Sequence, residues 1–177
     1  MPSAETRLDL RRGVNDLTSE TELLHGAALH KLVRGLERVT IENLHRLHPS
    51  LYLVQGIPVS AGVMLKLSTR GRTHMPRWHF FLTPNEEEAL AKFHLEYPRA
   101  RTFYGLVCRD DGVCCVSLAE VESILADDLN PGGKFLSVSR PRGASYHLRG
   151  PGRTELGHAI PQSDWPDALR NGPRIAG

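Results

Sequence analysis

The stretch Thr83-Pro84-Asn85-Glu86 constrains this chain more than any other. A threonine at the N-cap, proline at N1 and glutamate at N3 start a helix at one place. The hydroxyl and the carboxylate satisfy orphan N–H groups reciprocally, and the ring presets the first helical φ. Two more capping boxes stand at Ser19-Glu20-Thr21-Glu22 and Ser117-Leu118-Ala119-Glu120. The spaces between them hold short apolar runs, so the chain alternates helices with strands and folds as a mixed sheet with helices against it.

After Ser19, the residues Leu29, Leu32, Val33, Leu36, Val39, Leu44 and Leu47 follow one helical face. They predict a helix reaching Pro49, with Gly26 and Gly35 as points where it bends or breaks. Strands are expected at residues 51–55, 63–67 and 78–82, then a helix from Pro84 to about residue 96. A hairpin follows, with strands 103–108 and 113–117 joined by Asp110-Asp111-Gly112, then a short helix to Leu125 and strands at 135–139 and 146–148. The expected class is α/β in the α+β sense: a single mixed sheet flanked by helices, in the order α-β-β-β-α-β with extra C-terminal strands. Residues 1–18 read as an N-terminal leader, 19–150 as the domain, and 151–177 as a Gly/Pro-rich extended tail whose anchor is Trp165.

With 177 residues, 40% of them hydrophobic and 24% charged, the chain is long enough to bury one ordinary core. No apolar run approaches the ~20 residues of a membrane span, and residues 1–16 lack the apolar stretch of a secretory signal. Three cysteines, two of them the neighbours Cys114 and Cys115, make an odd set in apolar strands. They are expected as buried thiols in a reducing, cytoplasmic setting. No phosphate-loop, dinucleotide or nucleophile-elbow motif occurs. His45 and His48 are spaced for a metal, but no local cysteine or carboxylate completes a set, so a zinc site is not expected.

The charges are few in excess and strongly sorted. Net charge is +2, and of 22 basic residues only four are lysines. No Asp or Glu occurs from Asn43 through Asn85, or again from Leu129 through Thr154. The first acid-free segment carries Lys66, Arg70, Arg72 and Arg77; the second carries Arg140, Arg142, Arg149 and Arg153. Arginine forks spaced by small residues suit phosphate oxygens, and Tyr146 and His147 could stack on an unpaired base. Glu86-Glu87-Glu88 falls in the first turn of its helix, where the macrodipole favours acids.

The element order over residues 20–125 resembles the core of the PD-(D/E)xK nuclease superfamily. So does its texture: the Lys-bearing strand Met64-Leu65-Lys66, a basic turn, the aromatic strand Trp78-His79-Phe80-Phe81-Leu82, and then Phe103-Tyr104-Gly105-Leu106-Val107. The resemblance implies a phosphate-backbone-binding fold and, in active members, Mg²⁺ held by carboxylates beside a lysine. Here the acid position of the triplet is Met64, and thioether sulfur does not replace oxygen on a hard cation. The resulting expectation is a catalytically degenerate, cofactor-free nuclease-like protein that binds nucleic acid, DNA ahead of RNA, through two arginine-rich loops, with a protein partner and homodimerisation as further expectations. One alternative is an active Mg²⁺ enzyme whose acids are displaced to Glu20, Glu22, Glu37, Glu42, Asp110 or Asp111. Another is a protein-interaction subunit whose basic face meets an acidic partner.

Overall fold

A computed structural model of the chain describes residues 19–68, 76–152 and 154–172. The three capping boxes start three helices: α1 (Glu20–Gly35), α2 (Pro84–Glu96) and α3 (Leu118–Leu125), each with both reciprocal cap hydrogen bonds. The strands are β1 (Thr40–Asn43), β2 (Leu51–Gln55), β3 (Ser60–Leu67), β4 (Arg77–Leu82), β5 (Arg101–Val107), β6 (Val113–Ser117), β7 (Lys134–Ser139) and β8 (His147–Arg149), and a last helix, α4, covers Asp164–Asn171. The protein is α+β, as its sequence implies. No helix among the described residues is long and apolar enough to cross a membrane.

The strands divide into two sheets where one was expected. The first is mixed, in the order β1-β2-β3-β5-β6; the second is antiparallel, β4-β7-β8. β3 and β5 run parallel, from Ala61 opposite Arg101 to Leu67 opposite Val107, and every other pairing is antiparallel. The large sheet is buried on both faces. One core gathers Met64, Phe93, Tyr104 and Leu106 with α3 and the small sheet; the other gathers Leu32, Val63, Phe103 and Leu169 with α1 and α4. A second sheet is needed because the first core must be covered, and the alternating Phe80, Leu82, Leu136 and Val138 present the apolar face that covers it.

Three local expectations change. The long first helix stops at Gly35, and the chain turns through Arg38 (φ 51°) into β1. The β-branched run Val39-Thr40-Ile41 prefers a strand, and β2 offers it a partner from Thr40↔Gln55 to Asn43↔Tyr52. Strand 78–82 leaves the meander for the second sheet, and β1 takes its place, so β1-β2-β3 are the three consecutive antiparallel strands. The C-terminal segment is not an extended tail. Tyr146 and Ile160 form an antiparallel bridge, Trp165 is buried with its indole N–H donating to the Ala28 carbonyl at 3.0 Å, and Arg170 Nη2 donates to the Gly35 carbonyl at 2.6 Å. Gly35 has to be glycine: a Cβ there would lie 2.4 Å from Pro166 Cγ.

Trp165 therefore anchors the far end of the chain to α1. Trp165→Ala is expected to lower stability by about 3–5 kcal/mol, the cost of a large aromatic removed from a core, as read by urea denaturation. Trp165→Phe, which keeps much of the volume and loses the indole donor, should lose less than half as much.

Burial also sets a pH dependence. His25 is buried edge-on to Tyr52, with ring centroids 6.4 Å apart, and its pKa is pushed below the ordinary 6.5 by burial and by the Lys66 charge. His48 is likewise lowered, by burial first. The folded state then binds fewer protons than the unfolded chain just below that value, so stability is fully present above about pH 6.5 and falls as the pH drops through the folded pKa. Chemical denaturation between pH 7.5 and 5.5 should show this decline, and His25→Phe should make it shallower.

Candidate nucleic-acid interface

The two acid-free segments meet in space along β4 and β7, and their contact at the Arg77 end can be stated in atoms. β4 and β7 are paired with Arg77 opposite Ser139, and the Arg140 N–H donates to the Pro76 carbonyl at 3.2 Å. The first segment leaves β3 at Ser68, whose N–H donates to Val107 O at the end of β5. Both segments thus border the tight turn that joins β5 to β6, closed by Cys108 N–H to Gly112 O at 2.8 Å.

That turn brings its own acids to the edge. Asp111 receives the Arg140 fork, Nε on Oδ2 at 2.8 Å and Nη2 on Oδ1 at 2.5 Å, while Arg140 Nη1 reaches the Ala144 carbonyl. The guanidinium also lies 5.3 Å from the Tyr146 ring centroid, and Asp111 holds its pKa above the ordinary arginine value. Gln162 Nε2 closes the arrangement on the Asp111 carbonyl at 2.6 Å. Arg140 therefore acts as a structural clamp between two loops, its fork occupied by Asp111. Arg109, in the same turn at φ 51°, pairs with Glu20 of α1.

The other expected contacts are distributed as follows. Lys66 faces inward from β3 and pairs with Glu86 of α2 at 2.5 Å, both side chains largely withdrawn from water. Glu86 simultaneously accepts the Thr83 N–H of its capping box at 2.7 Å. Tyr146 is fully buried, edge-on to Trp78, so it offers no face for stacking; burial raises its hydroxyl pKa. Arg149 and His147 share Glu155, Arg149 Nε donating to Oε2 at 3.0 Å and His147 Nδ1 lying 3.7 Å from Oε1. Arg70, Arg72, Arg153 and the neighbouring His74 lie outside the described residues. Arg77 and Arg142 remain: both are exposed, and their side chains form no ion pair among the described residues.

The remaining chemistry-bearing groups are quiet. Cys108, Cys114 and Cys115 are free and buried, their thiols held protonated because burial raises each pKa. His48 Nδ1 accepts the Ser50 N–H at 3.1 Å, which fixes the neutral tautomer. Among the described residues no group of three or more His, Cys, Asp or Glu could hold a metal ion. The Mg²⁺ of the nuclease resemblance meets a poor donor set beside Lys66. Its nearest carboxylate, Glu86, already serves a lysine and a backbone N–H, whereas a hard divalent cation wants several free oxygens.

Sequence reasoning missed Glu86, Asp111 and Glu155 as partners. For Glu86 a signal existed: a lysine within the apolar run Val63-Met64-Leu65-Lys66-Leu67 must find an anion if its strand is buried. For Asp111, 29 residues from Arg140, there was none. No family model, curated protein or solved structure matches the chain.

Removing one member of the buried pair leaves the other unpaired. Lys66→Met is expected to destabilise by about 3–5 kcal/mol, and Lys66→Met with Glu86→Leu should recover most of that loss. Thermal and urea unfolding of the three variants checks both statements.

Proposed function

We propose that the protein binds nucleic acid without cleaving it, DNA ahead of RNA, along the edge where the acid-free segments meet. The supporting observation is the joining of Pro76 to Arg140 across β4 and β7, which puts exposed Arg77 and Arg142 at one end of the small sheet. The sequence adds Arg70 and Arg72 to the first of these segments. With Lys66, Arg140, Tyr146, His147 and Arg149 committed elsewhere, the contacts number fewer than the sequence implies, and the binding is weaker and directed to backbone phosphates rather than bases. Asp110 and Asp111 in the adjacent turn favour a spaced set of contacts over a continuous basic groove.

The absence of cleavage follows from the carboxylate at Lys66 being spent on structure. The likeness to a degenerate nuclease belongs to this same proposal: β3 carries the lysine, and α1-β1-β2-β3-α2-β5 keeps the helix–meander–helix–strand order once β4 is set aside. A cytoplasmic location fits three free, buried thiols.

Titration of labelled duplex DNA, single-stranded DNA and RNA at several salt concentrations tests the reading. Affinity for DNA should fall with salt, and Arg77→Ala with Arg142→Ala should flatten the slope of log K against log salt by up to about two contacts, near 0.9 each for duplex. Arg149→Ala should change it little, since Glu155 already neutralises that charge. Absence of micromolar binding to all three ligands at low salt ends the proposal and assigns the exposed arginines to a protein partner. Mg²⁺- or Mn²⁺-dependent cleavage lost in Glu86→Gln would replace it with an active enzyme.

A further inference from the structure

The face of the molecule between α2 and α3 is unusual for being apolar, open and polarised in charge. A groove of about 920 Å³ runs between the two helices above the first half of β5. Its floor is made by Leu82, Leu90, Tyr104, Val121 and Leu125, all buried. Its walls carry exposed alanines, Ala91 on α2, Ala119 on α3 and Ala126 just past it, whose small side chains let another helix approach closely. Two leucines stand out at the ends. Leu95, in the last turn of α2, is 84% exposed, and Leu129, just past α3, is 90% exposed.

The two ends differ in charge. His94 and Arg101 line the groove where α2 ends, with exposed Arg99 in the turn between them. Glu122 and Asp128 line the other half, with exposed Asp127 beside them. The Lys134 ammonium at that end is matched by Glu87 at 3.1 Å, so it does not cancel the acids. A surface with a basic end, an acidic end and an apolar middle is complementary to itself after a two-fold rotation. Such a rotation would set the end near Leu95 and Arg99 of one copy against the end near Leu129 and Asp127 of the other.

We propose that this groove is the contact surface through which two copies of the chain form a two-fold symmetric dimer. Leu129 lines the groove and Leu95 stands outside it, so a small apolar ligand would leave Leu95 in water, whereas a second copy covers both. The surface lies over the start of β5, at the opposite end of that strand from the turn carrying Asp111, so dimerisation and nucleic-acid binding use separate parts of the molecule.

Sedimentation equilibrium of the full chain across the micromolar range tests the proposal without nucleic acid. A monomer–dimer equilibrium is expected. Ala119→Arg and Leu129→Asp should each shift it to monomer. Arg99→Glu and Asp127→Arg should each weaken it by about fivefold or more, since every lost pair occurs twice. The double variant Arg99→Glu with Asp127→Arg should restore it. Should Ala119→Arg fail to fold, as circular dichroism would show, Leu129→Asp and the charge pair carry the test. A monomer at every concentration overturns the proposal. So does a dimer indifferent to all four substitutions, or a monomer found by native mass spectrometry to retain a small molecule in the groove.

Discussion

Parallel pairing of β3 with β5 is the constraint from which the rest of the structure follows. Parallel neighbours cannot be joined by a tight turn, so the chain must leave the sheet after Leu67 and return at Arg101. It uses the excursion to build β4 and α2. A sheet so constructed is covered on both sides, and β3 has no face for water. Lys66, near the end of that strand, is drawn inside with it and must be neutralised there. Glu86 does so from the first turn of the crossover helix, which ties the angle at which α2 leaves the sheet to a charge on the sheet.

Sorting of charge along a sequence is not sorting of charge in space. The two acid-free segments were the strongest functional signal in the chain, and they do come together. Folding nevertheless delivers acids to them from outside: Asp111 to Arg140, Glu155 to Arg149 and His147, Glu86 to Lys66. An arginine that clamps two loops and an arginine that waits for phosphate have the same one-letter code. Only pairing tells them apart, and these pairings span 6 to 29 residues.

What could be read from the sequence was local. Three of the four helix starts were visible because a capping box is complete within four residues, and the β5–β6 hairpin was visible because its turn residues sit between its own strands. The first helix is shorter than its apolar pattern implies, because Val39, Leu44 and Leu47 continue a helical period that tertiary pairing with β2 overrides. Division into two sheets was invisible, since β4 meets its partner β7 more than fifty residues later. The Gly and Pro content after Arg149 hid α4, whose stability comes from Trp165 and Leu169 packing on α1 and not from its own propensity. At the candidate interface, exposure and ion pairing separate the side chains already engaged from those left open to solvent, and neither is a property of a residue type.

The indole of Trp165 and the carbonyl of Ala28 are 137 residues apart in the chain. Closing a loop of that length is entropically expensive before any packing offsets it, and contacts of such separation slow the search for the native state. On a ribosome the consequence is directional. The apolar side of α1 and the outer face of the large sheet are synthesised early, but α4, which completes their cover, is made late. Throughout that interval a nascent chain carries sticky surface, so its passage to the folded state depends on how quickly the last segment follows the first and on what shields the surface until then.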